Sequence, residues 1–472
     1  MPDIARQHLL AKRYKDAEQA AIELLTANPL HAQAWVYLGE ALLHQGYVGQ
    51  ARRALDRGWL LDPQATWTGR VERALRNRDE GPTNAEVERI LDLPPVTVTA
   101  AIMTHNDERC IERCINSLVD AVDEILLLAE SDTTDRTIEL AERLPKVRVI
   151  RDVNLDHNFA GKRNKGLEYV RTDWVLWVDA DEWLLPEDLG AVREAASLFQ
   201  HSRLPAILNI CQVNYIQGKV SSDYSIPRMI PMSRGLRYHG RVHEQILVQG
   251  STMYDTVAHR QSVRIRLGHD GYEPHILQAK GKLNRNIALL ELMVEEEPDN
   301  PGWMLFYGRE TLGAGDVDKA LSILQQAEEI ARRTPRFARM SDILMLQHKI
   351  YMSRQEYEQA ERVCLRAIEA DPSFPDAKFQ LAQAQMRRAV QLLKSAEEQL
   401  NASKTSFHSY RGMVSADRDI LHWRADLALA DLARMSGNPQ EAIRRYETLL
   451  QKYPHLKQVK AKLEKLKGIS SP

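Results

Sequence analysis

The spacing of hydrophobic positions changes twice along the chain. Both ends carry apolar residues at helical intervals, whereas the middle, about Val96 to Tyr272, carries short apolar runs. Four of these runs, "VTVTAAIM", "EILLLA", "VRVI" and "WVLWVD", alternate with the helical patterns "ERCIERCINSL" and "DRTIELAERL". Strand, helix, strand, helix within about 85 residues predicts βαβ units and a parallel sheet.

The run Trp174 to Val178 has no polar break and then meets Asp179, Asp181 and Glu182 before returning to Trp183. A buried carboxylate without a partner is too costly to sit inside a core. The acids therefore belong at the strand's end, facing a metal ion, a cationic side chain or water. In open α/β sheets ligands bind beyond the carboxyl ends of the strands, and "THNDE", "ESDTTDRT" and "DADE" all fall there. Three polar segments on one edge predict one site.

Asp179-Ala180-Asp181 places two carboxylates on one side of an extended chain. Hard oxygen ligands at a strand end suit Mg²⁺ or Mn²⁺, with positions left for water and phosphate. A solvated turn is the plainer reading of so short a motif. Upstream, "NFAGKRNKG" supplies Lys162, Arg163 and Lys165, which suit a metal-bound diphosphate or else form an exposed basic turn.

The ends resemble tetratricopeptide repeats. Trp35, Leu38, Gly39, Leu42, Ala51, Leu55 and Pro63 fall at the spacings of that helix–turn–helix unit. Ala17 lies 34 residues before Ala51, and Pro29 lies 34 before Pro63, so an imperfect copy precedes it. After Pro298 the pattern returns, and in "EYEQAERVCLRAIEADP" and "NPQEAIRRYETLLQKYP" a small residue, Ala360 or Ala442, precedes the closing Pro by twelve. Stacked helix pairs of this kind share a core and present a concave face to peptides or proteins, or serve only as scaffold.

With 472 residues, two to four domains are expected. A 44% hydrophobic, 27% charged chain of formal net charge −2 makes no case for nucleic-acid binding or stable membrane insertion. The first residues lack a signal-peptide core and no stretch is long enough to span a bilayer, so a cytoplasmic protein is expected. Cys110, Cys114, Cys211 and Cys364 make no disulfide framework and are expected to pack as ordinary apolar side chains.

In order and spacing, "VTAAIMTHNDERCIERCINSL", "ESDTTDRT" and "KRNKGLEYVRTDWVLWVDADE" resemble the motifs of family 2 glycosyltransferases of GT-A fold. "RYHGRVHEQI", "LGHDGYEP" and the stretch Arg285 to Thr311 are similar to sublancin-type peptide S-glycosyltransferases, with flagellin glycosyltransferases close by. "DADEW" and "VHE" also resemble glucosyltransferases of lipopolysaccharide core assembly. The resemblance implies that Thr104, Asn106 and Glu108 hold the nucleotide and that Glu130 replaces the usual uracil-reading Asp. It implies Arg163 at the diphosphate, Asp179 at the donor, and Asp181 and His269 on a metal, a mixed shell that favours Mn²⁺. "HGRVHE" supplies His239, His243 and Glu244; Glu244 is the implied base, with His243 orienting it.

The expectation is thus an α/β GT-A (Rossmann-like) domain at 95–275, between tetratricopeptide-like helices at 1–80 and 276–472. Its expected activity is metal-dependent inverting transfer of a hexose or N-acetylhexosamine from a UDP-sugar to a Ser, Thr or Cys side chain of a protein or peptide, with homo-oligomerisation left open. A cell-envelope saccharide acceptor, or an interaction protein with an inactive transferase core, are the alternatives.

Overall fold

The computed structural model describes residues 2–151, 158–216, 218–270 and 281–468, and the chain divides into two compact units, Met1–Asp299 and Asn300–Pro472. The expected boundary at 275 lies outside the described residues.

The first unit begins with helices α1 (Pro2–Leu10), α2 (Tyr14–Ala27), α3 (Ala32–Gln45), α4 (Val48–Leu61), α5 (Thr68–Leu75) and α6 (Ala85–Leu91). Ala17 and Ala51, the residues at the repeat period, are fully buried, as are Trp35 and Leu38, so helices α2 to α4 pack closely. Next come β1 (Val98–Thr104), α7 (Ile111–Leu118), β2 (Glu124–Ala129), α8 (Thr137–Glu142), β3 (Val147–Ile150), α9 (Phe159–Leu167), β4 (Trp174–Asp179), β5 (Glu182–Leu184) and α10 (Leu189–Phe199). The unit closes with β6 (Ala206–Ile216), β7 (Lys219–Pro231), β8 (Leu236–His239), β9 (Gln245–Val248), β10 (His259–His269) and α11 (Lys282–Glu296).

Among the described residues one eight-stranded sheet has the order β3-β2-β1-β4-β7-β6-β10-β5. The expected parallel pairing holds for β3-β2-β1-β4 and fails beyond β4, where β7 runs antiparallel to both β4 and β6. Two residues separate β6 from β7, and so short a link can only make a hairpin. β10 then pairs parallel to β6 and antiparallel to β5. Strand β4 is buried from Trp174 to Val178 and emerges at Asp179.

The N-terminal helices dock on this sheet. Trp59 of α4 lies under the guanidinium of Arg264 at 4.1 Å and near that of Arg266 at 5.6 Å, both on β10. Fully buried Asp188 accepts from Arg266 at its backbone N (2.9 Å), Nε (2.7 Å) and Nη2 (2.9 Å). Buried Arg57 donates through Nε to Glu194 of α10 at 2.7 Å. The helices are thus held to the strand that ends at His269.

The second unit consists of α12 (Pro301–Gly313), α13 (Val317–Arg333), α14 (Met340–Ser353), α15 (Tyr357–Ala370), the 35-residue α16 (Pro375–Ser409), α17 (Ala425–Met435), α18 (Pro439–Lys452) and α19 (Lys457–Leu466). Neighbours α12 and α13, α14 and α15, and α17 and α18 pack as pairs, with Ala360 and Ala442 fully buried.

Candidate active site

The acidic turn between β4 and β5 meets cationic side chains. Asp179 Oδ1 accepts from Arg228 Nη1 at 2.8 Å, and Oδ2 pairs with Nη2 of the same guanidinium. Arg163 Nη2 lies 3.6 Å from Asp179 Oδ1. Burial pulls the Asp179 carboxyl upward, but the charge and hydrogen bonds of Arg228, with Arg163 and His269 behind them, hold it well below the usual carboxylate range. Its side chain remains 40% exposed.

Glu182, one of the acids expected to stand at the open end of the strand, turns into the core instead. It is fully buried, accepts from Asp179 N at 2.9 Å and from Gln212 Nε2 at 2.6 Å, and lies 3.6 Å from Arg228 Nη2. Burial, opposed by Arg228 and reinforced by Asp179, pushes its carboxyl up to about 7. Its register opposite His269 on β10 turns its side chain inward and locks the turn from behind.

Arg163 reaches this carboxylate from α9. Gly166 allows this, since a Cβ there would lie 2.5 Å from Leu128 and 2.8 Å from Trp177, so the helix closes directly on the sheet. The Arg163 guanidinium then sits 4.8 Å from the Trp177 ring and 5.5 Å from that of Tyr238. Its Nε donates to Glu244 Oε1 at 3.0 Å. Arg163 therefore orients Glu244, the role expected of His243. His243 adopts φ +54° in the same turn, and its backbone O accepts from Gln245 Nε2 at 2.9 Å. His239 lies apart from this pair, with Nε2 2.6 Å from Glu297 Oε1.

Asp181 and His269 come together across the end of β10, Oδ1 to Nε2 at 3.8 Å, and Asn214 Oδ1 lies 2.8 Å from His269 Nδ1. A carboxylate and an imidazole suit Mn²⁺, but no cluster of three His, Cys, Asp or Glu side chains arranged to hold a metal occurs among the described residues. The donor set fits an ion with two protein ligands and the remaining positions left to water and phosphate oxygens. Beside it Trp183 is packed: Arg113 stands 4.0 Å over its ring, Tyr215 stacks at 5.7 Å, and Gly268 leaves no space for a Cβ beneath it.

A second cluster closes the ends of β1 and β2. Asn106, at φ +55°, accepts at Oδ1 from Thr134 N (2.9 Å) and Asp135 N (3.2 Å). Buried Thr104 donates through Oγ1 to Asp107 at 2.9 Å, and Glu108 Oε2 accepts from Arg136 N at 3.2 Å. Glu130 pairs with Lys162, whose side chain is only 4% exposed. The two loops are thereby knitted into one rim.

Residues 99–253 match the family model described as glycosyl transferase family 2, and residues 8–73 match a tetratricopeptide repeat. The chain contains a family 2 glycosyltransferase domain and tetratricopeptide repeats. The mixed sheet with its flanking helices is accordingly the α/β GT-A architecture with tetratricopeptide-like helices. The SPbeta prophage-derived glycosyltransferase SunS of Bacillus subtilis (strain 168) is 27% identical over 263 residues, 55% of this chain and 60% of SunS. The chain thus spans about 60% of that relative's length. An uncharacterized glycosyltransferase of Rickettsia bellii (strain RML369-C) is 33% identical over 90 residues, 19% of this chain and 29% of its own. A crystal structure of S. aureus TarS 1–349 in complex with UDP-GlcNAc has a TM-score of 0.34 at 12% identity, covering 55% of this chain and 87% of that one.

Within this family 2 domain no local pattern marked Arg228, Gln212 or Asn214, which hold the acids and His269 in place. Nor did it mark Arg285 of α11. That side chain stacks 5.0 Å from Phe159, and its pKa is lowered by burial against the opposing charges of Glu130 and Glu244.

Proposed function

We propose that the protein is a metal-dependent inverting glycosyltransferase that moves a hexose or N-acetylhexosamine from a UDP-sugar to a Ser, Thr or Cys side chain of a protein or peptide. The observation that carries this reading is the meeting of Arg163, Asp179 and Glu244 at the end of β4, beside Asp181 and His269. Thr104, Asn106, Glu108 and Glu130 would line the nucleotide at the rim. Arg163 and Arg285 would offset the diphosphate charge.

A divalent ion, Mn²⁺ or Mg²⁺, held by Asp181 and His269 would supply Lewis-acid charge to the departing diphosphate. Glu244 takes the proton from the acceptor O–H or S–H as that atom bonds to the anomeric carbon. The bond from that carbon to the diphosphate oxygen breaks, and the nucleoside diphosphate leaves with the electron pair. His243, in the same turn, is the second group able to move that proton. The tetratricopeptide helices would present the acceptor segment. Cysteines that form no disulfide among the described residues suit a reducing, cytoplasmic setting. No described helix is long and apolar enough to cross a membrane.

Mass spectrometry of candidate peptides incubated with the protein and UDP-sugars tests the acceptor class. A peptide gaining one hexose or N-acetylhexosamine mass supports the proposal. Transfer to saccharides alone would replace the peptide acceptor with a glycan.

A further inference from the structure

We infer that α16 is the dimerisation helix of this chain, and that its outer face pairs antiparallel, across a twofold axis, with the same face of a second copy. Three observations carry this.

The first is length. α15 has 14 residues and α16 has 35, so at about 1.5 Å per residue α16 runs roughly 30 Å beyond what α15 can cover. It docks on α15 through Ala377, which joins Val363 and Ala367 in one buried cluster, and Arg388 Nη1 donates to Glu361 at 3.1 Å. At the far end Lys404 Nζ donates to Asp426 of α17 at 2.6 Å. Between these anchors, from Gln391 to Gln399, every residue but Leu393 is exposed. Helices in proteins draw most of their stability from packing an apolar face, and little of this stretch is covered among the described residues.

The second is the pattern along the helix. Phe379, Met386, Leu393 and Leu400 recur at intervals of seven, and Ala382, Ala389, Ala396 and Ser403 each follow by three. This is the seam of a coiled coil, sustained over four heptads. Phe379 and Met386 each stand two residues past a buried alanine, Ala377 or Ala384, about 200° round the helix, so the seam faces away from α15. Phe379, Met386, Val390 and Leu392 are 58–67% exposed, and apolar exposure gathered in this way marks an interaction surface.

The third is that the seam complements itself. Two antiparallel copies with the axis at Gln391 set Met386 against Ala396 and Leu393 against Ala389, with Phe379 against Ser403 and Leu400 against Ala382 outside them. Every layer then joins one large and one small side chain, whereas a parallel pair would stack Phe on Phe and Ala on Ala. Beside the axis Val390 meets Val390 of the second copy and Leu392 meets its Leu392, which gives a partner to the two exposed apolar residues outside the seam. Along the flanks Asp376 falls opposite Lys404 and Glu397 opposite Gln383, so opposite charges meet and like charges do not. A twofold axis lets one patch meet itself and closes the assembly at two copies.

The test is the mass of the full chain in solution, by light scattering after gel filtration and by sedimentation. Wild type should run at twice the 53.9 kDa of one chain. Val390→Lys and Val390→Glu each set like charges against each other at the axis, so each should fall to the single-chain mass with helical circular dichroism unchanged. An equal mixture of the two variants should return to the double mass. Gln391→Lys, at the heptad position of Ala377 and Ala384, should keep the double mass. A double mass that neither Val390 substitution alters would overturn the inference, as would a mixture of the two that stays single. Wild type at the single-chain mass would overturn it too, leaving the face to a helix of another protein.

Discussion

Asn214 Oδ1 stands 2.8 Å from His269 Nδ1, which fixes the ring with Nε2 toward Asp181. Outer partners of a ligating histidine set its tautomer and orientation. Asn214→Ala should therefore weaken Mn²⁺ binding in the presence of UDP by about 10–100-fold while leaving the fold intact. Unaltered Mn²⁺ affinity, read by calorimetry, would remove His269 from the metal shell.

Glu244 is held by one hydrogen bond from Arg163 Nε. As the base, its change to Gln should lower kcat by about 10²–10⁴-fold with a hydroxyl acceptor and leave the donor Kd nearly unchanged. A thiol acceptor, with its ordinary pKa of about 8.5, should lose less. Steady-state kinetics with matched Ser and Cys peptides reads both the role of Glu244 and the acceptor atom. Equal, small losses on the two peptides would point to another base.

The parallel half of the sheet was legible because β2 and β4 are nearly continuous apolar runs and β3 is a short one broken only by Arg148, and those runs coincide with the observed strands. The antiparallel half was not. β7 is exposed over most of its first half, and "KVSSDYSIPRMIP" carries two prolines and no clean alternation. Asp179 and Asp181 could be singled out because charge directly after a buried strand is costly unless something meets it. What meets Asp179, an arginine on a bulged strand 49 residues later, depends on a tertiary register that no local pattern encodes. Glu182 was misplaced for the same reason: only its pairing with β10 turns it inward. His269 and Glu244 entered through a family resemblance, since a lone histidine or glutamate near a strand end carries no period.

Gly268 lies flat beneath Trp183, and an added Cβ would fall 2.3–2.8 Å from the indole ring atoms. Gly268→Ala should destabilise the first unit by about 1–3 kcal/mol through overpacking and displace Trp183 from between Arg113 and Tyr215. A lowered denaturation midpoint, with a change in Trp fluorescence, is the expected result. A midpoint equal to wild type would mean that the indole moves aside freely.

The second unit should lose stability in acid in two windows. Buried His348 has its pKa lowered from the ordinary 6.5 by desolvation, so the folded state holds it neutral, and the stability it confers is lost as pH falls below about 6.5. Glu328 is pulled up by burial, but hydrogen bonds from Arg332, Gln347 and Arg366 bring it below its ordinary 4.5. Its contribution is complete above that value and disappears as pH falls through the lowered one. Thermal melts from pH 8 to pH 3 should show His348→Gln flattening the upper window and Glu328→Gln the lower. A profile that neither substitution alters would contradict both assignments.

The central claim is metal-assisted transfer from a nucleotide sugar at the end of β4. Its most direct test is the rate of UDP release from UDP-hexose, measured for wild type and Asp181→Ala, each with and without EDTA. The account predicts turnover by wild type that EDTA abolishes and added Mn²⁺ restores, with Asp181→Ala near background throughout. Equal UDP release from both proteins, indifferent to EDTA, would contradict it.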